Sequence, residues 1–595
     1  MTTIAQAGHL LERARWATRA YADYDQAAVS AIVTAVADAG YAAAERFAEA
    51  AVTETEMGVA AHKVIKNRAC SRGILEHYRG EDLISPRVDT ARKIVEIPRP
   101  AGVVLAITPT TNPVSTVYFK VILSLMTRNA VVVAPHPRAK QCSADAARGL
   151  AEAAVNAGAP DGIVQVIDEP SIPLVEALMA DERTDVIVAT GGTGVVRAAY
   201  SSGNPALGVG PGNVPVFVDA SADINAAARR IVDSKAFDNS VLCTNESVLI
   251  AEESIAERLR AALTRNGAHV LDPDDAQRLR EFMFPFGQLN TDVVGRDAAW
   301  IAGQTGLRVT PKTRVLIAPF EHVVDEEVLT HEKLSPVLGM TTVADAERGI
   351  RAARAVVRIG GVGHSAAIHS ETPSIITDFA AQVQALRVSV NVGNSTGSSG
   401  LETNLPPSMT LGTGFVGRSS LGDNLRPHNL MNWTRIAYNS DSGVAMPNFA
   451  GITPWRSPAG PVPEYPRASN ERDGAPQPRH NGYPIVSQGV RAWPGRPAGR
   501  AASTRRRRTR TTRQEVSRGR TAFLHLPRSP AAADDVIPGH VDPRRAAPSR
   551  CRRSDHRGGT RTRHRGHHRR GAQARRCEGR NPGSGAAIRL SGVPW

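Results

Sequence analysis

The sequence predicts an α/β protein with two successive parallel sheets, followed by a long segment of no regular structure. Three observations carry this. From Val103 onward, short β-branched runs alternate with amphipathic helical stretches, a rhythm that places helices on the faces of a parallel sheet. A second series of the same kind runs from Val214 to about Val390. Beyond about Ser440 both periodicities give way to Pro, Gly and Arg.

Taken in order, residues 1–95 read as helices, with apolar positions recurring at three and four in AAVSAIVTAVADAGYAAAERFAEAAV. The first series sets 103–107 (VVLAI) before a helix over 119–126, 130–134 (AVVVA) before 144–157, 162–167 (GIVQVI) before 172–179, and 185–190 (DVIVAT) before 195–201. The second holds VPVFVD, a helix over 226–236, SVLIAE, a helix over 255–266, TRVLIAP and a helix around 344–358. Gly and Ser dominate 391–400, Pro and Gly continue to 417, and regular structure is expected to finish near Asn439. Parallel sheets bind ligands at the carboxyl ends of their strands, so the turns after these runs are where a site belongs.

At 595 residues the chain is long enough for two or three cores, since single cores stop growing near roughly 250–300 residues. No apolar run approaches the roughly 20 residues needed to cross a bilayer. The N-terminus mixes charge into helical periodicity and lacks the unbroken apolar core of a secretory signal. A cytoplasmic protein with no membrane partner is the expectation. Cys70, Cys142, Cys243, Cys551 and Cys577 form no CxxC and no zinc-like spacing, so neither a disulfide scaffold nor a metal site is expected. The net charge of +15 suggests nucleic acid until it is divided along the chain. Residues 491–595 hold 27 Arg, no Lys and six acidic residues, a net +21 that leaves −6 on the preceding 490. The folded body is thus mildly acidic, and nucleic acid is not expected on it.

Chemistry is read first from Cys243, which lies in DNSVLCTN between a predicted helix and the strand 247–251, where small polar neighbours leave a thiol approachable. A free cysteine taken alone is more often a buried, inert thiol. Asn112, in the turn Thr110-Thr111-Asn112-Pro113 after the first run, is placed where a side-chain amide can donate to an oxyanion. An Asn before Pro is also a common turn former. Gly191-Gly192-Thr193-Gly194 lies between a strand and a helix, where glycines let backbone approach a phosphate at the helix N-terminus. Any tight strand-to-helix turn favours glycine too.

Together the strings EIPRPAGVVLAITPTTNP, KVILSLMTRNAVVVAPHPRAK, ALGVGPGNVPVFVD, DNSVLCTNES, HEKLSPVLGM, GGVGHSAAIHS and PPSMTLGTGFVGRSSLGDNLRPHNLMNWTRIAY resemble the CoA-acylating branch of the aldehyde dehydrogenase superfamily, in order and spacing over about residues 1–440. The resemblance implies that family's fold. A Rossmann-like cofactor domain would span 1–213 with a return segment 406–440, and an α/β catalytic domain 214–405 would carry the nucleophile. It implies oxidation of a short aldehyde to its acyl-CoA with NAD or NADP, through a cysteine thiohemiacetal and an acyl-enzyme thioester.

Carried over position by position, the resemblance makes Cys243 the nucleophile and Asn112 the oxyanion donor, assisted by the Cys243 backbone N–H. Glu332 matches the glutamate that binds the nicotinamide ribose. His136 and Pro137, followed by Arg138, match the segment at the adenosine ribose, Thr108 and Pro109 the turn after the first strand, and Gly191, Gly192, Thr193 and Gly194 the turn beside the cofactor. His364 resembles a histidine shared by the branch, whose role is to assist the thiol, to contact CoA or simply to pack. Hydrolytic relatives carry a water-activating glutamate where this chain has Val209 in Gly208-Val-Gly-Pro-Gly-Asn213, so transfer to CoA is implied.

The wording of 402–420 and 430–441 resembles acylating sulfoacetaldehyde dehydrogenases in particular, which makes sulfoacetaldehyde the expected substrate and acetaldehyde the alternative. Assembly as a homodimer or homotetramer follows from the same likeness. A different class of function, nucleic-acid binding, would rest on the Arg-rich runs 505–508 and 561–570. Against it stand few aromatics and no recognised nucleic-acid fold. Residues 441–595 are expected to be disordered or, from about 470, the product of a GC-rich coding stretch read out of frame.

Overall fold

The computed structural model of the chain describes residues 3–457 together with 464 and 465. These belong to the unit Met1–Asn470, while a second unit, Glu471–Pro594, lies outside the described residues. Helices Thr3–Tyr21, Gln26–Ala42, Ala44–Thr55 and Ala60–Arg68 fill the N-terminal segment. Asp25 caps the second by accepting from Ala28 N at 2.9 Å. The fourth runs through a π-turn, Ala69–Gly73, into Ile74–His77.

The reading of 1–95 as helix fails over its last stretch, where β1 (Arg87–Asp89) pairs antiparallel with β2 (Ile94–Pro100). Pro98 and Pro100 exclude a helix there. They are tolerated in the strand because β1 stops pairing at Glu96, leaving them one neighbour instead of two.

Five strands then form a wholly parallel sheet: β3 (Val103–Ile107), β4 (Ala130–Ala134), β5 (Val164–Val166), β6 (Val186–Thr190) and β7 (Ala206–Val209), in the order β5-β4-β3-β6-β7. Every residue of β3 and β4 is buried, as expected of strands covered by helices on both faces. The helix expected over 119–126 is longer, Pro113–Met126, and all its residues are buried. No amphipathic contrast therefore marks its first turn. The start is set by Pro113, whose missing N–H costs nothing at the first helical position.

A seven-stranded sheet, also wholly parallel, follows: β8 (Val214–Val218), β9 (Glu246–Glu252), β10 (Ala268–Val270), β11 (Val315–Pro319), β12 (Val337–Val343), β13 (Gly363–His369) and β14 (Ala385–Val390), ordered β10-β11-β12-β9-β8-β13-β14. Gly363 and the polar residues His364, Ser365 and His369 inside the buried β13 (GHSAAIH) hide it from periodicity. The last strand, β15 (Met431–Ala437), returns to pair with β2 from Pro100 to Ile94.

From Ser440 to Ser457 there is neither helix nor strand, yet Trp455 is buried. Its indole N–H donates to Ile84 O at 2.7 Å, and the Arg128 guanidinium lies 4.3 Å from its ring. Packing thus outlasts periodicity by some residues, because one aromatic anchor leaves no repeating pattern. The Arg-rich runs, Cys551, Cys577 and almost all of the segment expected to be disordered lie outside the described residues. Among the described residues no single helix is long and apolar enough to cross a membrane.

Candidate active site

Between the helix Ile224–Ala236 and β9 the backbone makes an unusual passage. Asp238, Asn239 and Ser240 have φ of 50, 49 and 66°, three consecutive non-glycine residues in the left-handed region. Such residues cost about 1–3 kcal/mol each and persist only where surroundings over-determine them. Here they do. The Asp238 carboxylate accepts from Val59 N at 2.7 Å, from Lys63 Nζ at 3.0 Å and from Lys66 Nζ, while Asp238 N donates to His62 Nδ1 at 2.8 Å. Asn239 Nδ2 donates to Gly295 O at 2.9 Å. Past the turn, Asn245 accepts from Leu242 N at 3.1 Å and donates to Ser234 O at 2.7 Å. Burial alone would raise the Asp238 carboxyl; Lys66 and Lys63 outweigh it and hold the group below its usual range, hence charged.

This passage presents Cys243, which is partly exposed, whereas Cys70 and Cys142 are buried. Its sulfur lies 3.2 Å from His364 Nε2, at the start of β13. His364 Nδ1 faces Ser365 Oγ at 3.0 Å, and that hydroxyl accepts from Asn394 Nδ2 at 3.0 Å. Ser365 can donate to or accept from the ring, so the imidazole can present either a lone pair or an N–H to sulfur. Burial, reinforced by Arg387, lowers His364 to about 3. Desolvation, then Glu332, lifts the Cys243 thiol to about 12 against the opposing Arg387. Burial lifts Glu332 to about 8, against the Gly212 N–H, Lys235 and Lys333. These shifts favour a thiol beside a neutral imidazole over a thiolate–imidazolium pair, and burial favours the protonated form of the Glu332 carboxyl. The thiol must lose its proton as the sulfur attacks.

The segment Gly208–Asn213 packs against the backbone of the nucleophile at Gly212. A Cβ on Gly212 would lie 2.2 Å from Cys243 O, and one on Gly361 would lie 2.3 Å from Asn213 N, so only glycine allows these backbones to meet. Val209 within this segment is buried and apolar.

Asn112 sits between β3 and the helix Pro113–Met126, nearly fully buried. Its Nδ2 donates to Val241 O at 3.1 Å, two residues before the nucleophile, and its Oδ1 accepts from Lys66 Nζ. The amide is therefore tied to the cysteine passage at both ends.

The remaining expected residues gather at the carboxyl edge of the five-stranded sheet. Thr108 N donates to Ala134 O at 3.0 Å, which sets the Thr108–Pro109 turn beside exposed His136, Pro137 and Arg138. Gly191 N donates to Val209 O at 3.5 Å, joining the glycine turn to the segment packed against Cys243. The helix expected from 195 starts at Thr193, and its N-terminus carries exposed Gly192, Thr193 and Gly194, with open space at both glycines. The buried hydroxyls of Thr108 and Thr110 have no partner. Unpartnered hydroxyls and an open helix N-terminus fit a polar, phosphate-bearing dinucleotide. Glu332 is half-buried, not solvated, and accepts from Gly212 N.

Sequence reasoning missed Lys63, Lys66 and Arg387. The two lysines of AAHKVIKNR carry no motif, yet they are 3% and 1% exposed. Arg387, buried in β14, donates to Gly363 O at 3.1 Å and Gly412 O at 2.7 Å and so braces the start of β13 beside His364. Only an i, i+3 pair of lysines on the buried face of a helix hints at this in the sequence.

Residues 1–279 match the aldehyde dehydrogenase family. The succinate-semialdehyde dehydrogenase (acetylating) of Clostridium kluyveri is 36% identical over 431 residues, covering 72% of this chain and 95% of that protein. The aldehyde-alcohol dehydrogenase of Clostridium acetobutylicum is 38% identical over 444 residues, covering 73% of this chain but 51% of that protein; the chain spans about half the length of such bifunctional relatives. Among solved structures, an acetylating aldehyde dehydrogenase from Geobacillus thermoglucosidasius superposes with a TM-score of 0.73 at 37% identity, over 74% of this chain and 98% of that one. A propionaldehyde dehydrogenase from Rhodopseudomonas palustris, solved with bound CoA and an acylated cysteine, gives 0.67 at 28% identity, over 73% and 97%. With likeness running nearly the full length of these shorter relatives and a cysteine-centred site in place, the chain belongs to the acylating branch of the aldehyde dehydrogenase family.

Proposed function

We propose that the protein oxidises a short aldehyde to its acyl-CoA with reduction of NAD(P)⁺, by covalent capture on Cys243. The observation that carries this reading is the partly exposed Cys243 sulfur, 3.2 Å from His364 Nε2, on a passage held in left-handed geometry. Sulfur attacks the aldehyde carbon while its proton passes to His364 or to solvent, giving a thiohemiacetal whose oxygen carries the new negative charge. The Asn112 side-chain N–H and the Cys243 backbone N–H receive that charge; one such donor is worth about 10²–10³ in rate. Bound NAD(P)⁺ supplies the hydride acceptor. Thr108, Pro109, His136, Pro137, Arg138 and Glu332 would line its ribose and ring-proximal portions, with the Gly191–Gly194 turn at its phosphates. Loss of hydride from the captured carbon leaves a thioester on Cys243. The CoA thiol then attacks the acyl carbon and displaces Cys243, its proton passing to the departing sulfur, which gives acyl-CoA and returns the free cysteine. Val209 offers no carboxylate to activate water, which lets the thioester wait for a thiol.

The aldehyde is read as sulfoacetaldehyde from the wording of 402–420 and 430–441, and the likeness to an acetylating aldehyde dehydrogenase supports acetaldehyde equally. The test follows reduced cofactor and thioester in the purified full chain, with each aldehyde, with and without CoA, beside Cys243→Ala. We expect acyl-CoA only when CoA is present, ping-pong kinetics, and none of it from the variant. Free acid formed at the same rate without CoA, or acyl-CoA from Cys243→Ala, overturns the reading. The ratio of kcat/KM for the two aldehydes decides between them.

A further inference from the structure

We propose that Lys66 is the positioning residue of the oxyanion site, fixing which end of the Asn112 carboxamide faces the nucleophile and strengthening its N–H as a donor. The inference rests on Asn112 being the oxyanion donor and adds the group that makes it one.

An asparagine amide is nearly symmetric in shape, and turned over it would offer an oxygen to the reacting centre, repelling an oxyanion. Its neighbours decide which end points where. Lys66 Nζ has donors only and meets Oδ1; Val241 O has lone pairs only and meets Nδ2 at 3.1 Å. Both contacts would turn repulsive if the amide flipped, so the N–H is held on the side of the cysteine passage. A cation on the amide oxygen also draws electron density from nitrogen, which makes the N–H a better donor, and the effect is strong because Lys66 is 1% exposed.

Asp238 completes the arrangement. It binds Lys66 and belongs to the passage that presents Cys243, so the donor and the nucleophile are set by one ionic contact. Lys63 provides an internal comparison. It pairs with the same carboxylate at 3.0 Å, lies on the same helix and is equally buried, but its other contact is Thr111 O at 3.3 Å, not the Asn112 amide.

The experiment measures single-turnover formation of reduced cofactor in the full chain for Asn112→Ala, Lys66→Met, Lys63→Met and the doubles with Asn112→Ala, with cofactor Kd by fluorescence titration. Lys66→Met should slow the acylation step by roughly 10²-fold, leave cofactor Kd within twofold, and slow Asn112→Ala no further, because the two act through one hydrogen bond. Lys63→Met should slow it less, and its effect should multiply with Asn112→Ala. Lys66→Arg, which keeps a cationic donor, should recover most of the rate. If Lys66→Met does not fold, Lys66→Gln, which removes the charge and leaves Asp238 paired with Lys63, carries the same comparison. A Lys66→Met rate within twofold of the parent, or an effect that multiplies with Asn112→Ala, overturns the inference alone. An Asn112→Ala chain at the parent rate overturns it together with the reading of Asn112.

Discussion

The passage that carries Cys243 and the turns at the carboxyl ends of β3, β4 and β6 belong to one site and are built in opposite ways. Around the nucleophile, three left-handed residues are held by a buried carboxylate with two lysines, and polar side chains such as Asn112 and Asn245 have protein partners at both ends. At the strand ends, Thr108 and Thr110 keep buried hydroxyls without partners, and Gly192 to Gly194 lie open. Under the proposed function, the difference follows from what each half would do. A group that reacts must be oriented before substrate arrives, so the protein supplies its contacts; a group that receives a diffusing ligand must leave contacts for that ligand to complete.

If the halves are separable in this way, the largest effect should come from Cys243→Ala, which should lower turnover by about 10⁴-fold or more while cofactor affinity, read by titration, stays unchanged. A matching loss of affinity would break the comparison. Asp238→Asn should come next. It leaves Lys63 and Lys66 buried without their counter-charge, so urea unfolding should show about 3–5 kcal/mol of lost stability; a variant as stable as the parent would mean that the left-handed passage holds itself.

A smaller effect is expected with pH. His364, lowered to about 3 by burial and then by Arg387, stays neutral in the native chain where the unfolded chain, at an ordinary value near 6.5, takes up a proton. Stability should therefore be fully present above about pH 6.5 and fall as pH drops toward 3, by at most about 1.4 kcal/mol per pH unit for this group. His369, lowered to about 4 by burial and Arg230, adds to the same slope. His364→Asn should remove its share, visible as a shallower loss between pH 7 and 5 in urea unfolding, and an unchanged slope would place the acid sensitivity elsewhere. The smallest effect belongs to the open half: Thr108→Val should raise cofactor KM about three- to tenfold, the worth of one hydrogen bond, with kcat nearly kept. A collapse of kcat instead would show that this turn also orients the reacting groups.

Much of the fold was legible because it is written locally. β3, β4, β6, β8 and β9 are short β-branched runs next to helical periodicity, and the parallel sheets follow from that alternation. β13 was not legible, since a buried strand built from Gly363, His364 and Ser365 has no apolar signature. Nor were β1 and β2, whose pairing with each other and with Met431–Ala437 is a long-range event. The site residues were legible as types in suggestive turns, Cys243 and Asn112 above all, with the family likeness raising them above ordinary turn residues.

By itself the sequence determined the strands and helices that carry a local periodicity, which cysteine is the nucleophile to test, and that the positive charge sits in residues 491–595, because each is a property of neighbours along the chain. The tertiary structure alone decided what surrounds the thiol. Cys243 meets His364 across 121 positions, Asp238 meets Lys66 across 172, and Lys66 meets Asn112 across 46. Two lysines that carry no motif become the buried supports of a strained passage only when the fold removes them from water. The energy of a charge depends on its surroundings far more than on its place in the chain.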